Sequence, residues 1–233
     1  MFYIDPFFIT LVLPAIIFAL ICQFAVSHTF DKYNQIYSRS GLTGEQVARR
    51  ILDSCGLQNV QVEYTGGKLT DHFDPTMNVL RLSGEVFNGK GLGAIGVAAH
   101  ETGHAVQYAL GYQPMQFRSS IISATNIGSR LSVPLIVAGL IIDYFLPFGI
   151  IFAYIGVACF GLSLIFQLVT LPVEFDASKR AIGFLESDDI IYPDEVDGAR
   201  KVLTAAAMTY VAALAVSIMQ LIRLLSIVSG RRR

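Results

Sequence analysis

Apolar residues fall into long unbroken runs at the two ends and in the second half of this chain. Between them, polar and apolar positions alternate with helix or strand period. Residues 6–26 carry no charge, and a helix needs about 20 apolar residues to cross a bilayer, so this run is predicted to span one. It lacks the basic start and small-residue cleavage site of a removable signal, so the span is expected to be retained. Pro14 is placed to kink it. Residues 131–169 contain a single charge, Asp143. That is too long for one span and suits two, turning at 144–149, where Pro147 and Gly149 break helix. The first of the pair carries Pro134. Residues 202–228 form a fourth apolar helix, interrupted by Gln220 and Arg223.

Between the first span and the hairpin the pattern is that of a water-soluble fold. "SGLTGEQVARRILDSCGL" has the period of an amphipathic helix, with Thr43 and Gln46 spaced as a capping box and Gly56 suited to the closing turn. "NVQVEYTGGKLTDHFDPTMNVLRLS" predicts a strand, a Gly-Gly turn, a short extended piece and a second strand around 79–82. A helix opens after Gly91 and runs through Tyr108, ended by Gly111 and Pro114. The expected organisation is therefore a first membrane helix (1–27), a soluble region (28–130) and a membrane hairpin (131–170). A polar helix and loop (171–201) and a last apolar helix with a basic tail (202–233) follow. The expected fold class is a mainly α membrane protein: about four transmembrane helices plus a small α+β domain with a short sheet.

Composition agrees with a partly lipid-solvated chain. Of 233 residues 53% are hydrophobic and 15% charged, against about 25% charged in soluble domains; mean hydropathy is +0.55. A net charge of −1 gives no electrostatic footprint for nucleic acid. Cys22, Cys55 and Cys159, odd in number and without metal spacing, read as small buried hydrophobes. Lys and Arg placement sets an orientation. Lys32, Arg39, Arg49 and Arg50 follow the first span, Arg118 and Arg130 precede the hairpin, and Lys179 and Arg180 follow it. All point to the cytoplasmic side for the soluble region and the segment around Glu174. Arg231–Arg233 disagree, because an even number of spans would put them outside.

The chemistry lies in "VAAHETGHAVQ", where His100, Glu101 and His104 interrupt an apolar run. Histidines four apart lie on one helix face, so both imidazoles can meet one ion. Zn²⁺ accepts neutral imidazole and leaves a fourth position open. Glu101, on the adjoining face, can take the proton of a zinc-activated water as it attacks a carbonyl. No His follows His104, so a third ligand must be acidic. Glu174 in "TLPVEFDASKRA" is the expected one, placed where an apolar helix leaves the membrane. A plain surface glutamate is the alternative. The other acids, in "LESDDIIYPDEVD", have the character of a solvated loop.

The stretches "LTGEQVARRIL", "LTDHFDP", "VAAHETGHAVQ", "TLPVEFDASKRA" and "AAAMTYVAA" resemble the membrane-embedded zinc metallopeptidases of the YugP type, over nearly the whole length. The resemblance implies a bacterial integral-membrane peptidase in the gluzincin group, distantly like HtpX proteases. It implies zinc ligation by His100, His104 and Glu174. HtpX-like enzymes carry an Asp four residues after the ligand Glu; Ser178 stands there in this chain. Asp176, about 200° round the helix from Glu174, is expected to point elsewhere.

Three further residues stay open. His72 of "LTDHFDP" is either an oxyanion donor, beside a strand edge at 79–82 that accepts extended substrate, or a loop histidine next to the Asp74-Pro75 turn. Tyr210, a phenol in an apolar helix, needs a polar partner, and the site is one candidate. His28 is read as capping the first span. The expected function is a membrane endopeptidase acting on membrane or membrane-proximal proteins from the cytoplasmic side of a bacterial cell membrane. Its expected partners are protein or peptide substrates and the bilayer, without nucleic acid. An idle zinc-stabilised scaffold would have no use for Glu101, and the polar "TDHFDPTMN" argues against a site buried within the bilayer.

Overall fold

The computed structural model describes residues 5–187 and 190–230; Asp188 and Asp189 of the acidic loop and the Arg231–Arg233 tail lie outside them. The elements in chain order are a π-helical turn (Phe8–Val12), α1 (Leu13–Asn34), α2 (Gly44–Ser54), β1 (Gln61–Thr65), β2 (His72–Asp74) and β3 (Val79–Ser83). After them come α3 (Gly84–Phe87), α4 (Leu92–Ala109), α5 (Gln113–Phe145), α6 (Gly149–Ser187) and α7 (Val196–Ser229). Four helical stretches, Phe8–Asn34, α5, α6 and α7, are long and apolar enough to cross a membrane. The chain is a mainly α membrane protein with a small sheet. Its helices outrun the apolar patterns: α1 continues to Asn34, so His28 lies inside it and caps nothing, and α5 begins at Gln113. Pro14 sits just after the π-helical turn, where a missing N–H is accommodated by irregular pairing rather than within a regular ladder.

The chain divides into two compact units. One comprises Met1–Ile21, Phe117–Leu171 and Tyr210–Arg233. Its core is Ile136, Ile150, Ala153, Val157, Leu224 and Val228. α5 and α6 pack closely through glycine: a Cβ on Gly139 would lie 2.3 Å from the Ala153 nitrogen, the small-residue contact typical of membrane helices. Arg223, the charge within the last apolar run, is paired by Asp5, with Nε 2.6 Å from Oδ2. The ring of Phe8 stacks over its guanidinium at 5.2 Å. The last helix thus reaches the level at which the first begins.

The second unit comprises Cys22–Gln116 and Pro172–Thr209. α2 has the expected capping box, Thr43 and Gln46 each accepting from the other's backbone N–H, and Gly56 takes φ +74° after it. Val47, Ile51, Ile95 and Ala99 of α2 and α4 meet Ala181 and Leu185 of α6 and Leu203 of α7 in one buried cluster. Another side of α4 joins the sheet and α3, through Ala98 and Ala105 against Leu80 and Leu82 of β3 and Val86 of α3.

The strand order is β1-β3-β2, with β1 parallel and β2 antiparallel to β3. This corrects one expectation: the strand at 79–82 is central, hydrogen-bonded on both sides, and offers no edge to a substrate. The Gly-Gly segment closes no hairpin but carries the chain across β3. The tight turn is at Asp74-Pro75, where Asp74 Oδ1 accepts from the N–H groups of Thr76 at 2.9 Å and Met77 at 3.2 Å, an Asx-turn.

Candidate active site

α4 carries His100 and His104 one turn apart, and their rings meet edge-on with centroids 4.8 Å apart. Glu174 arrives on α6, which crosses α4 at Gly103. A Cβ there would lie 2.8 Å from the backbone oxygen of Ala177, so the glycine between the two histidines lets the third residue approach. Oε2 of Glu174 lies 3.3 Å from His100 Nε2 and 3.5 Å from His104 Nε2, with Glu174 only 2% exposed. One ligand atom from each of the three lies within 4.8 Å of the others.

The two carboxylate–imidazole separations suit a small tetrahedral ion. Bonds of about 2.0–2.2 Å give tetrahedron edges of about 3.3–3.6 Å, and two neutral imidazoles with one carboxylate are a donor set that Zn²⁺ accepts with a fourth position open. The outer nitrogens are engaged, as they are in histidines that bind metal. His100 Nδ1 is 3.2 Å from Ser178 Oγ, and His104 Nδ1 is 3.0 Å from Gln107 Oε1. Ser178, standing where HtpX-like proteases carry Asp, therefore does contact a histidine of the site.

Asp176 is not among the three clustered residues, yet it accepts from Gln107 Nε2 at 2.8 Å and so connects to His104 through one side chain. Sequence reasoning passed over Gln107; the available signal was its i+3 spacing from His104.

Before any ion's charge is counted, burial pushes the Glu101 carboxyl above its ordinary range, outweighing the pull of His104 and His100. Burial opposes the charged ring of His104, but Glu174 and Glu101 outweigh it and raise its pKa. Asp71, whose charge also bears on Glu101, is raised by burial despite donors from the Ser83 backbone at 2.7 Å and hydroxyl at 3.0 Å. Those two bonds pin the start of β2 to the end of β3.

His72 lies on β2, exposed, with Nδ1 2.8 Å from the Thr70 carbonyl. A carbonyl only accepts, so Nδ1 carries the proton and Nε2 of the neutral ring is a lone pair. Tyr210 belongs to α7 in the other unit. Phe73 of β2 packs on Tyr108 of α4, ring centroids 5.9 Å apart, which sets this edge strand against the helix of the two histidines. Ser178 also lines an apolar cavity of about 410 Å³ with Phe175, Ile182, Leu203 and Ala207.

A family described as "Putative neutral zinc metallopeptidase" matches residues 8–229. The protein named "Putative membrane protease YugP" of Bacillus subtilis (strain 168) is 42% identical over 225 residues, 96% of this chain and 98% of that one. No solved structure matches. With a His-His-Glu cluster built on its two core helices and a family match along nearly its whole length, the chain belongs to this family of zinc metallopeptidases.

Proposed function

We propose that this enzyme is a membrane-integrated endopeptidase cutting membrane or membrane-proximal proteins on the cytoplasmic side of a bacterial cell membrane. The convergence of His100, His104 and Glu174 beside Glu101 carries the reading. His100 Nε2, His104 Nε2 and a Glu174 oxygen would hold one Zn²⁺, which when bound would supply a Lewis acid and acidify water. Glu101 accepts the proton of the attacking water and passes it to the leaving amine. Burial of this carboxyl, which raises its pKa before any ion's charge is counted, acts in the direction that favours holding the proton before it is passed on.

His72 serves the oxyanion only as the imidazolium, since Thr70 already takes the Nδ1 proton of the neutral ring. β2, on the outer side of the sheet, is the strand against which an extended substrate lies. The lysines and arginines at 32, 39, 49, 50, 118, 130, 179 and 180 support the cytoplasmic placement. The name of the Bacillus relative, "Putative membrane protease YugP", supports a protease held in a membrane. An idle scaffold finds no support in a site that keeps Glu101.

N-terminomics on matched cells carrying wild type or Glu101→Gln tests the reading. New N-termini in membrane proteins should depend on the wild type; identical profiles would overturn it.

A further inference from the structure

We propose that Gln107 is a positioning residue that fixes which nitrogen of His104 carries the proton, presenting the Nε2 lone pair to the centre of the site. The inference rests on reading His100, His104 and Glu174 as a metal site, and it concerns how that site is prepared.

The argument follows from what each neighbour can do. Gln107 is 0% exposed, so no bulk water competes for its amide. Its nitrogen end lies 2.8 Å from the Val173 carbonyl oxygen and 2.8 Å from Asp176 Oδ2. A carbonyl and a carboxylate only accept, so both contacts need N–H donors, and the amide cannot be turned round without setting oxygen against oxygen twice. Oε1 is therefore the atom that faces His104 Nδ1, at 3.0 Å. An amide oxygen only accepts as well, so Nδ1 must donate. Glu174 Oε2 is an acceptor too, but lies 3.5 Å from Nε2; in the neutral ring the proton therefore sits on Nδ1, which has the shorter contact, and Nε2 keeps its lone pair for an ion.

Asp176 reinforces the orientation. Its Oδ2 also takes Arg180 Nε at 2.5 Å, which keeps it an acceptor, and Arg180 lies over the Tyr112 ring at 5.9 Å. The anchoring carbonyl belongs to Val173, the neighbour of Glu174, so one amide ties the α6 backbone beside Glu174 to a histidine on α4. His100 differs. Its Nδ1 faces the Ser178 hydroxyl, which can donate or accept, so that contact does not choose a tautomer. One histidine is locked and the other is free to adapt.

The test uses the full chain in detergent with ¹⁵N-labelled histidine, four rings in all. The variants are Gln107→Met, which keeps the volume and removes both polar functions, and Gln107→Glu, which keeps the acceptor for His104 and loses the amide donors. In zinc-free wild type, at a pH where the ring is neutral, His104 should show the Nδ1–H tautomer alone. Gln107→Met should show a mixture and weaken zinc binding about 10- to 100-fold in chelator competition. Gln107→Glu should melt below the wild type, having lost its bonds to Val173 and Asp176, yet bind zinc within a few-fold of it.

A purely structural role predicts instead that zinc affinity follows stability across the series. Either that result, or a Gln107→Met protein keeping the Nδ1–H signal and zinc affinity within threefold, overturns the proposal. Should the wild type bind no zinc, the metal-site reading fails by itself, and the tautomer measurement still decides the role of Gln107.

Discussion

At the scale of single residues, the neighbours of Glu101 decide its chemistry. Replacing it with Gln keeps the shape and removes the proton acceptor, so Glu101→Gln should retain zinc by metal analysis while proteolysis falls by about 10²-fold or more. His104→Ala should lose metal as well as activity, which separates ligand from base. Both residues were legible in the sequence because their spacing is local: four positions on one helix bring two imidazoles to one face. Glu174 was legible by elimination, as a carboxylate where an apolar run ends. The contacts that these side chains make between helices were not. Ser178 reaches His100 across 78 positions and Asp176 reaches Gln107 across 69, and no periodicity encodes which faces of two helices will meet.

Elements set how closely those faces meet. α4 and α6 touch at Gly103, where a side chain would run into the Ala177 backbone. Gly103→Val should push α6, and Glu174 with it, off the histidines. We expect about 1–3 kcal/mol of destabilisation and a larger proportional loss in zinc affinity, read from a thermal melt and chelator competition on one preparation.

A second junction joins the loop after α1 to the start of α7. Glu195 accepts from the Arg39 and Tyr192 backbones, Ser38 and the Arg39 side chain, and Asp194 pairs with the same arginine. Burial works against the Glu195 charge, but these donors prevail and hold its pKa below the usual carboxylate value. A carboxylate depressed in the folded state stabilises above its unfolded pKa, and that contribution is lost as pH falls through the folded one. Glu195→Gln should therefore cost about 1–3 kcal/mol at neutral pH, and the difference should begin to shrink only as pH falls below about 4, as urea melts at several pH values would show. The capping box of α2, the Asp74-Pro75 turn and the turn between α5 and α6 were all readable in advance, being short-range signals. The strand order was not, because placing β3 between β1 and β2 depends on apolar packing against α4 rather than on turn chemistry.

For the molecule as a whole, the proposed cytoplasmic placement of the soluble portion, argued from the distribution of lysine and arginine, has a direct test. A cysteine substituted at Lys90 should resist an impermeant maleimide added to intact cells and react after permeabilisation; labelling from outside would invert the topology. The Arg223–Asp5 pair accounts for a cation within the last apolar run, since a charge at membrane depth needs a partner. It also sets the end of α7 level with the start of the first helix.

The order in which the chain is made gives the three clustered residues a further meaning. His100 and His104 are synthesised before the membrane hairpin and Glu174 after it. With Glu174 as the third ligand, a chain that inserts one span of the pair instead of two strands that carboxylate across the bilayer from both histidines. On that reading the protease is born disarmed, and only correct insertion arms it. Metal content then doubles as a certificate of membrane topology: chains arrested before residue 174, or inserted with one hairpin span missing, should carry no zinc and cut nothing around them.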